Sequence, residues 1–252
     1  PREMKPLRPT YGRFLPMLAS DEIPEIRTAA RSLAGRVGVT LDPGSLYETV
    51  VDPGEAVADR VACLRQFART DDERVEEAIN VSLESDHPSL RAEAREQLFA
   101  RDETAGIALL LEASIEGEVV ERQRAITALS RCDDEDAAKR IESLARDLLG
   151  EDGRTSPIMV EVREAALESR DSAVAKLAHD WDLRAVEQVD PWSIALEGGD
   201  PVAGAFIARY HAGASCLRCH VIDGRGGEAG PVLDGLAGRS DIDSILQSII
   251  DP

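Results

Sequence analysis

The chain has 252 residues, 43% hydrophobic and 31% charged, and its 29 Lys and Arg against 48 Asp and Glu give a formal net charge of -19. That length suits one large domain or two ordinary ones. So acidic a surface repels nucleic acid, favours solubility and offers a docking face to a basic partner. No stretch approaches the roughly 18 apolar residues that a membrane-spanning helix needs. The chain opens Pro1-Arg2-Glu3, with Met4 inside it and no signal peptide. A processed product or a fragment is therefore expected, and the missing signal says nothing about compartment.

Residues 1–20 contain Pro1, Pro6, Pro9 and Pro16 and have no clear period; they read as an irregular lead-in or linker. Residues 21–182 are rich in Ala, Leu, Glu and Arg. Their apolar residues recur three and four apart, the pattern of amphipathic helices. A template Arg-x-x-small-x-x-x-apolar occurs as Arg60, Cys63, Phe67, then as Arg91, Ala94, Leu98, then as Arg122, Ala125, Leu129, with 31 residues between arginines in both steps. Looser copies start at Arg27 (with Ala30 and Leu33) and at Arg163 (with Ala166), the latter after an acidic insert, Leu149 to Gly153. A small residue lets two helices approach, and an apolar residue four further on shares its face. Helix pairs that bury only part of their apolar faces complete a core by stacking. The segment from Ser85 to Arg91 supplies a turn, a cap and a helix start. This pattern resembles HEAT-type helical repeats, and it places Ala94, Leu98, Ala125 and Leu129 in the interior. The acidic runs at 71–73 and 133–136 lack the spacing of a calcium loop and read as solvated turns.

From Leu183 to Pro201 the texture changes. Asp190-Pro191-Trp192, Gly198-Gly199 and Asp200-Pro201 are turn signals. Residues 183–198 are read as a linker, and a second domain over 199–252.

Cys63 and Cys132 stand alone in helical patterns and are most simply small core residues, although spacing alone does not decide whether they pair. Cys216 and Cys219 are different. They form Cys216-Leu217-Arg218-Cys219-His220, a C-x-x-C-H haem attachment motif. Two thiols on one turn can add across the two vinyl groups of a haem, and the adjacent His then supplies the proximal iron ligand. Zinc would need two more Cys or His nearby, where only His211 stands, and a thioredoxin-like pair would need a βαβ setting that this region lacks. About a dozen residues after His220 comes Gly230-Pro231-Val232-Leu233. A Gly-Pro-x-Leu element there resembles class I cytochromes c. The resemblance implies that the Pro231 carbonyl accepts a hydrogen bond from the His220 ring, fixing its tautomer, and that Leu233 packs on the haem.

Gly204 and Phe206 before the motif, and Gly226-Gly227, Asp234-Gly235-Leu236, Arg239-Ser240 and Ile245–Pro252 after it, resemble the haem-binding domain common in Planctomycetes and Verrucomicrobia. In that family the domain often follows HEAT-like repeats, themselves preceded by a β-propeller resembling sugar or sorbosone dehydrogenases. The resemblance implies an all-α chain: a HEAT-like α-solenoid over 21–182 followed by a cytochrome c-like haem domain over 199–252. One haem c would be bound covalently to Cys216 and Cys219, with His220 on the iron. The chain departs from the pattern in having no Met after His220; its three are Met4, Met17 and Met159. The haem domain is accordingly expected to be truncated at its C-terminal end.

The implied function is single-electron transfer from a sugar or alcohol dehydrogenase partner to a downstream acceptor. Two alternatives stay open: a haem with an open sixth site for small-ligand sensing or peroxide chemistry, and a helical-repeat scaffold in a larger redox complex. No general-base dyad or Ser/His/Asp constellation stands out elsewhere. Covalent haem attachment takes place outside the bacterial cytoplasmic membrane, so a periplasmic or extracytoplasmic location is expected. His211 reads as a solvated loop residue, a propionate neighbour or a distal ligand. Arg209, Arg225 and Arg239 are candidates for propionate contacts. His87 and His179 read as capping or surface residues, and Trp181, Trp192 and Tyr210 as packing near the domain junction.

Overall fold

A computed structural model describes residues 11–150, 156–188, 192–211 and 213–251. Over these residues the protein is mostly helical, with thirteen α-helices, three short 3-10 turns and one two-stranded hairpin. The first ten residues of the expected lead-in, 151–153 of the acidic insert, and Asp190 and Pro191 lie outside the described residues. No helix is long and apolar enough to cross a membrane among the described residues. The chain divides into two compact units, 1–110 and 111–252. The change of texture near Gly199 thus falls inside the second unit.

In the first unit α1 (Leu15–Leu18) precedes α2 (Pro24–Val37), α3 (Pro43–Val51), α4 (Val57–Phe67), α5 (Val75–Leu83) and α6 (Pro88–Arg101). The division falls within α7 (Glu103–Glu116). The second unit holds α8 (Val119–Leu129), α9 (Glu135–Leu149), α10 (Met159–Leu167), α11 (Ser172–Gln188), α12 (Pro201–Tyr210) and α13 (Ile242–Ile250). Local chemistry sets many of these ends. Proline opens α2, α3 and α6, where its missing N–H costs nothing. Asp42 caps α3 through Ser45 N, and Asp134 caps α9 through Asp136 N and Ala137 N. Glu118 and Glu121 form a capping box on α8. His87 stands at the N-cap of α6, but its side chain makes no cap hydrogen bond.

Packing alternates along the chain. Within the first unit α4 touches both α2 and α6, α3 touches α5, and sequence neighbours α3–α4 and α5–α6 pack in pairs. Within the second, α8 touches α10, α9 touches α11, and α9–α10 and α10–α11 are neighbours in contact. The arginine template falls on α2, α4, α6, α8 and α10, which is every second helix. Its small residues Ala30, Cys63, Ala94, Ala125 and Ala166 are all buried, as are Phe67 and Leu129. Leu98 is half-buried against the core of the first unit. Cys63 is fully buried and Cys132 half-buried, and neither is in a disulfide. Burial pushes the Cys63 thiol up to about 12.

Arginines inside and outside the template bind backbone carbonyls at helix ends. Arg60 Nε donates to Val50 O at 2.9 Å, at the end of α3. Arg91 Nη1 donates to Ser85 O at 2.7 Å, just past α5, and Arg31 Nε to Ala19 O at 3.0 Å, just past α1. In the second unit Arg140 Nη2 reaches Ser114 O at 3.0 Å, and Arg184 Nη2 reaches Leu149 O at 2.7 Å. The last carbonyls of a helix have no partner within it and carry the negative end of its dipole, so a buried guanidinium there satisfies both. Arg65 and Glu93 form a bidentate pair on the same principle of satisfied burial.

Helix α11 continues to Gln188, past the end expected at 182, and Arg184 fastens this extension to the end of α9. A 3-10 turn at Ser193–Leu196 packs on α10 and α13. Gly198 lets the backbone pass close to Pro157 O, where any Cβ would collide. Trp192 is more than half exposed.

Two stability measurements check this packing. Leu129→Ala should cost about 2–5 kcal/mol in urea unfolding, and half-buried Leu98→Ala distinctly less. Burial raises the Glu161 carboxyl above its usual range, opposed by a hydrogen bond from Gln123. A raised folded value means that the native state favours the protonated acid, so this contribution is full below the unfolded value and is lost as pH rises. Glu161→Gln should therefore match the parent at low pH and exceed it in stability at neutral pH.

Candidate functional site

The motif-bearing segment is built on backbone hydrogen bonds. Asp200 caps α12 by accepting from Val202 N at 2.8 Å and Ala203 N at 3.2 Å, with Pro201 as the first helical residue. On this helix the rings of Phe206 and Tyr210, one turn apart, lie 5.2 Å centre to centre. After His211 the chain turns through Ser215, which has a φ of 49°, into the 3-10 turn Cys216–Arg218. His220 N donates to Cys216 O at 3.0 Å, so the motif closes one helical turn with both cysteines on it. Both thiols are free, Cys216 half-buried and Cys219 exposed.

A hairpin follows at once, formed by β1 (Val221–Ile222) and β2 (Arg225–Gly226), with Val221 opposite Gly226 and Ile222 opposite Arg225. Its two turn residues, Asp223 and Gly224, have φ values of 54° and 70°. That is the primed turn that matches strand twist, and Asp-Gly is a favoured pair for it. The strap 230–234 then crosses back. Gly230 N donates to Cys219 O at 2.6 Å, and Leu233 N to Val221 O at 2.9 Å.

These two bonds bracket Pro231, whose carbonyl oxygen lies 2.8 Å from His220 Nδ1. A carbonyl can only accept, so Nδ1 is the nitrogen that donates, and in the neutral ring the lone pair lies on Nε2. Gly230 lies against the same ring: a Cβ there would come within 2.6 Å of Cε1 and 2.7 Å of Nδ1. Gly226 and Gly227 are equally constrained, since a Cβ would run into the His220 and Arg218 carbonyls respectively.

Comparison with family models, with curated proteins and with solved structures returned no match. The reading of the site rests on its own geometry.

Three features of that geometry fit a haem. The donor set is two free thiols on one turn and an imidazole with Nε2 available. The ring packs on a glycine and is held by a carbonyl behind it, as a ligating His requires. Among the described residues from 192 to 251 none is buried, although Phe206, Leu217, Val221, Leu233 and Leu236 are apolar. So short a segment is poor in core of its own, and an apolar macrocycle would supply one. Zinc fits less well, because no three His, Cys, Asp or Glu side chains are grouped to hold a metal ion among the described residues. A porphyrin provides four nitrogens itself and asks the chain for an axial ligand only.

Other candidates have different placements. His211 ends α12, and its Nδ1 accepts from Ala214 N at 3.2 Å, an exposed loop role. Arg209 pairs with Asp223. Arg239 donates to Val232 O at 2.6 Å and to Asp234 O at 2.7 Å, so it binds the strap. Leu233 is half-buried. Asp234, which counted only toward the resemblance and had no role assigned, caps the hairpin turn with its carboxylate. Only the Asp-Gly pair at 223–224 could have signalled a turn in need of an acceptor. Hydrogen bonds from Ser244 hold the Asp241 carboxyl, the N-cap of α13, below its usual range.

Gly230→Ala should displace the His220 ring and break its bond to Pro231, abolishing the protection of the ring N–H from solvent exchange in NMR. Gly238→Ala, where a Cβ meets nothing within 4 Å, should leave that protection intact.

Proposed function

We propose that residues 199–252 form a cytochrome c-like haem domain that transfers single electrons, borne on a HEAT-like solenoid. The observation that carries this reading is the 2.8 Å contact between His220 Nδ1 and Pro231 O directly behind a C-x-x-C-H turn. Cys216 and Cys219 would hold the group by thioethers. His220 Nε2 would be its axial ligand, and Leu233 would lie against it. The chemistry such a group supplies is exchange of one electron at its iron. The chain's own work is to fix the ring. Pro231 O holds the Nδ1 proton, which makes Nε2 a stronger donor and favours the oxidised state. The exposure of the segment supports access by a partner. The alternation of template-bearing helices with the helices between them supports the solenoid reading.

The proposed donor is a dehydrogenase acting on a sugar or alcohol, with a downstream acceptor, in the periplasm or another extracytoplasmic space. A basic partner surface fits the net charge of -19. A second reading, an open sixth site for a small ligand, draws on the lack of a Met among residues 221–252.

Stopped-flow reduction of the oxidised protein by candidate dehydrogenases with their substrates tests the reading. Reduction should occur and should slow as salt rises, because exposed charges are screened beyond about 10 Å at 0.1 M. Failure of every donor, together with fast carbon monoxide binding and peroxide turnover, would replace electron transfer by the second reading.

A further inference from the structure

Asp234 stands outside the attachment motif, yet it joins the two pieces of backbone that meet at His220. Its Oδ1 accepts from Asp223 N at 2.6 Å and its Oδ2 from Gly224 N at 3.1 Å. Both donors belong to residues with positive φ. Successive N–H groups in that conformation converge into an anion-binding concavity. A hairpin turn of this kind leaves the two donors without a partner in the ladder. A carboxylate fills the concavity with two charge-assisted bonds, which are stronger than neutral ones. The turn is held from its other side by the pairing of Asp223 with Arg209 on α12.

The same residue continues the strap. Three positions before Asp234 is Pro231, whose carbonyl meets the His220 ring, and one position before is Leu233, bonded to Val221 O. Beyond it Arg239 grips the Val232 and Asp234 carbonyls. Pro231 has no N–H of its own to fasten it. Its carbonyl is aimed by the fastening of its neighbours, to which the Arg239 guanidinium and the Asp234 carboxylate both contribute, and only the latter ties the strap to the hairpin turn that follows His220.

We infer that Asp234 is a positioning residue for His220: its carboxylate, clamped on the Asp223-Gly224 turn, holds the strap so that Pro231 O stays on Nδ1. It thereby tunes the donor strength of Nε2 and the reduction potential of the site. This rests on the haem reading, and the experiment separates the two.

The test uses the haem-loaded full chain, with haem content fixed first by the pyridine haemochrome spectrum. Solvent exchange of the His220 ring Nδ1–H is followed by NMR of the reduced protein, and the potential by spectroelectrochemistry. Asp234→Ala should speed exchange by about tenfold, the factor that corresponds to one ordinary hydrogen bond, and should raise the potential. Asp234→Asn, which keeps one acceptor, should fall between. Asp241→Ala removes a cap on α13 in the same segment and should change neither quantity. If Asp234→Ala leaves both unchanged, or if Asp241→Ala changes them equally, the positioning role is overturned and the haem reading stands. A parent chain without bound haem overturns both.

Discussion

A backbone carbonyl only accepts, so the approach of Pro231 O to His220 Nδ1 decides which ring nitrogen carries the proton. Everything around the motif answers to that contact. The 3-10 turn at Cys216–Arg218 carries both cysteines toward His220, whose N donates to Cys216 O. The hairpin reverses the chain, and the strap returns to present one carbonyl at one nitrogen. Gly230 must be glycine because the ring occupies the space of its side chain. An imidazole held in this way offers its outer nitrogen in a fixed direction, and a group bound there need not order the ring at its own expense.

The helices solve a different problem. Many short helices packed in alternation bring many helix ends into the interior, and each end has carbonyls without partners. The protein meets them with arginines: Arg60 at Val50, Arg91 at Ser85, Arg140 at Ser114 and Arg184 at Leu149. The long stem of Arg packs among apolar residues while its head reaches the carbonyl. Arg60 and Arg91 also stand ahead of a buried small residue, so on those two helices close approach and the termination of a neighbouring helix fall on one element.

This explains how much could be read from the sequence. The template marked α2, α4, α6, α8 and α10, because close packing demands a small residue at a fixed spacing from an apolar one. It did not mark α3, α5, α9 or α11, which carry no such constraint. Its arginines gave no hint of their acceptors, since Val50 O and Ser85 O are backbone atoms with no signature. Leu98 fitted the template but is half-buried, because depth depends on what covers a helix and not on its own spacing. At the site, the motif and Gly230-Pro231 were legible because chemistry fixes residue type there. Asp234 was not, because its partners are backbone N–H groups of a turn ten residues earlier. Arg209 and Arg239, read as candidates for propionate contacts, are joined to Asp223 and to the strap, partners that their sequence positions did not signal.

The proposed haem would be held by thioethers to Cys216 and Cys219. The most direct test is the mass of the denatured chain after expression in a host that matures c-type cytochromes. One added haem, retained through denaturation and mapped by proteolysis to the peptide containing Cys216-Leu217-Arg218-Cys219-His220, is the predicted result. An unmodified mass, or zinc found in elemental analysis at one per chain, would contradict it.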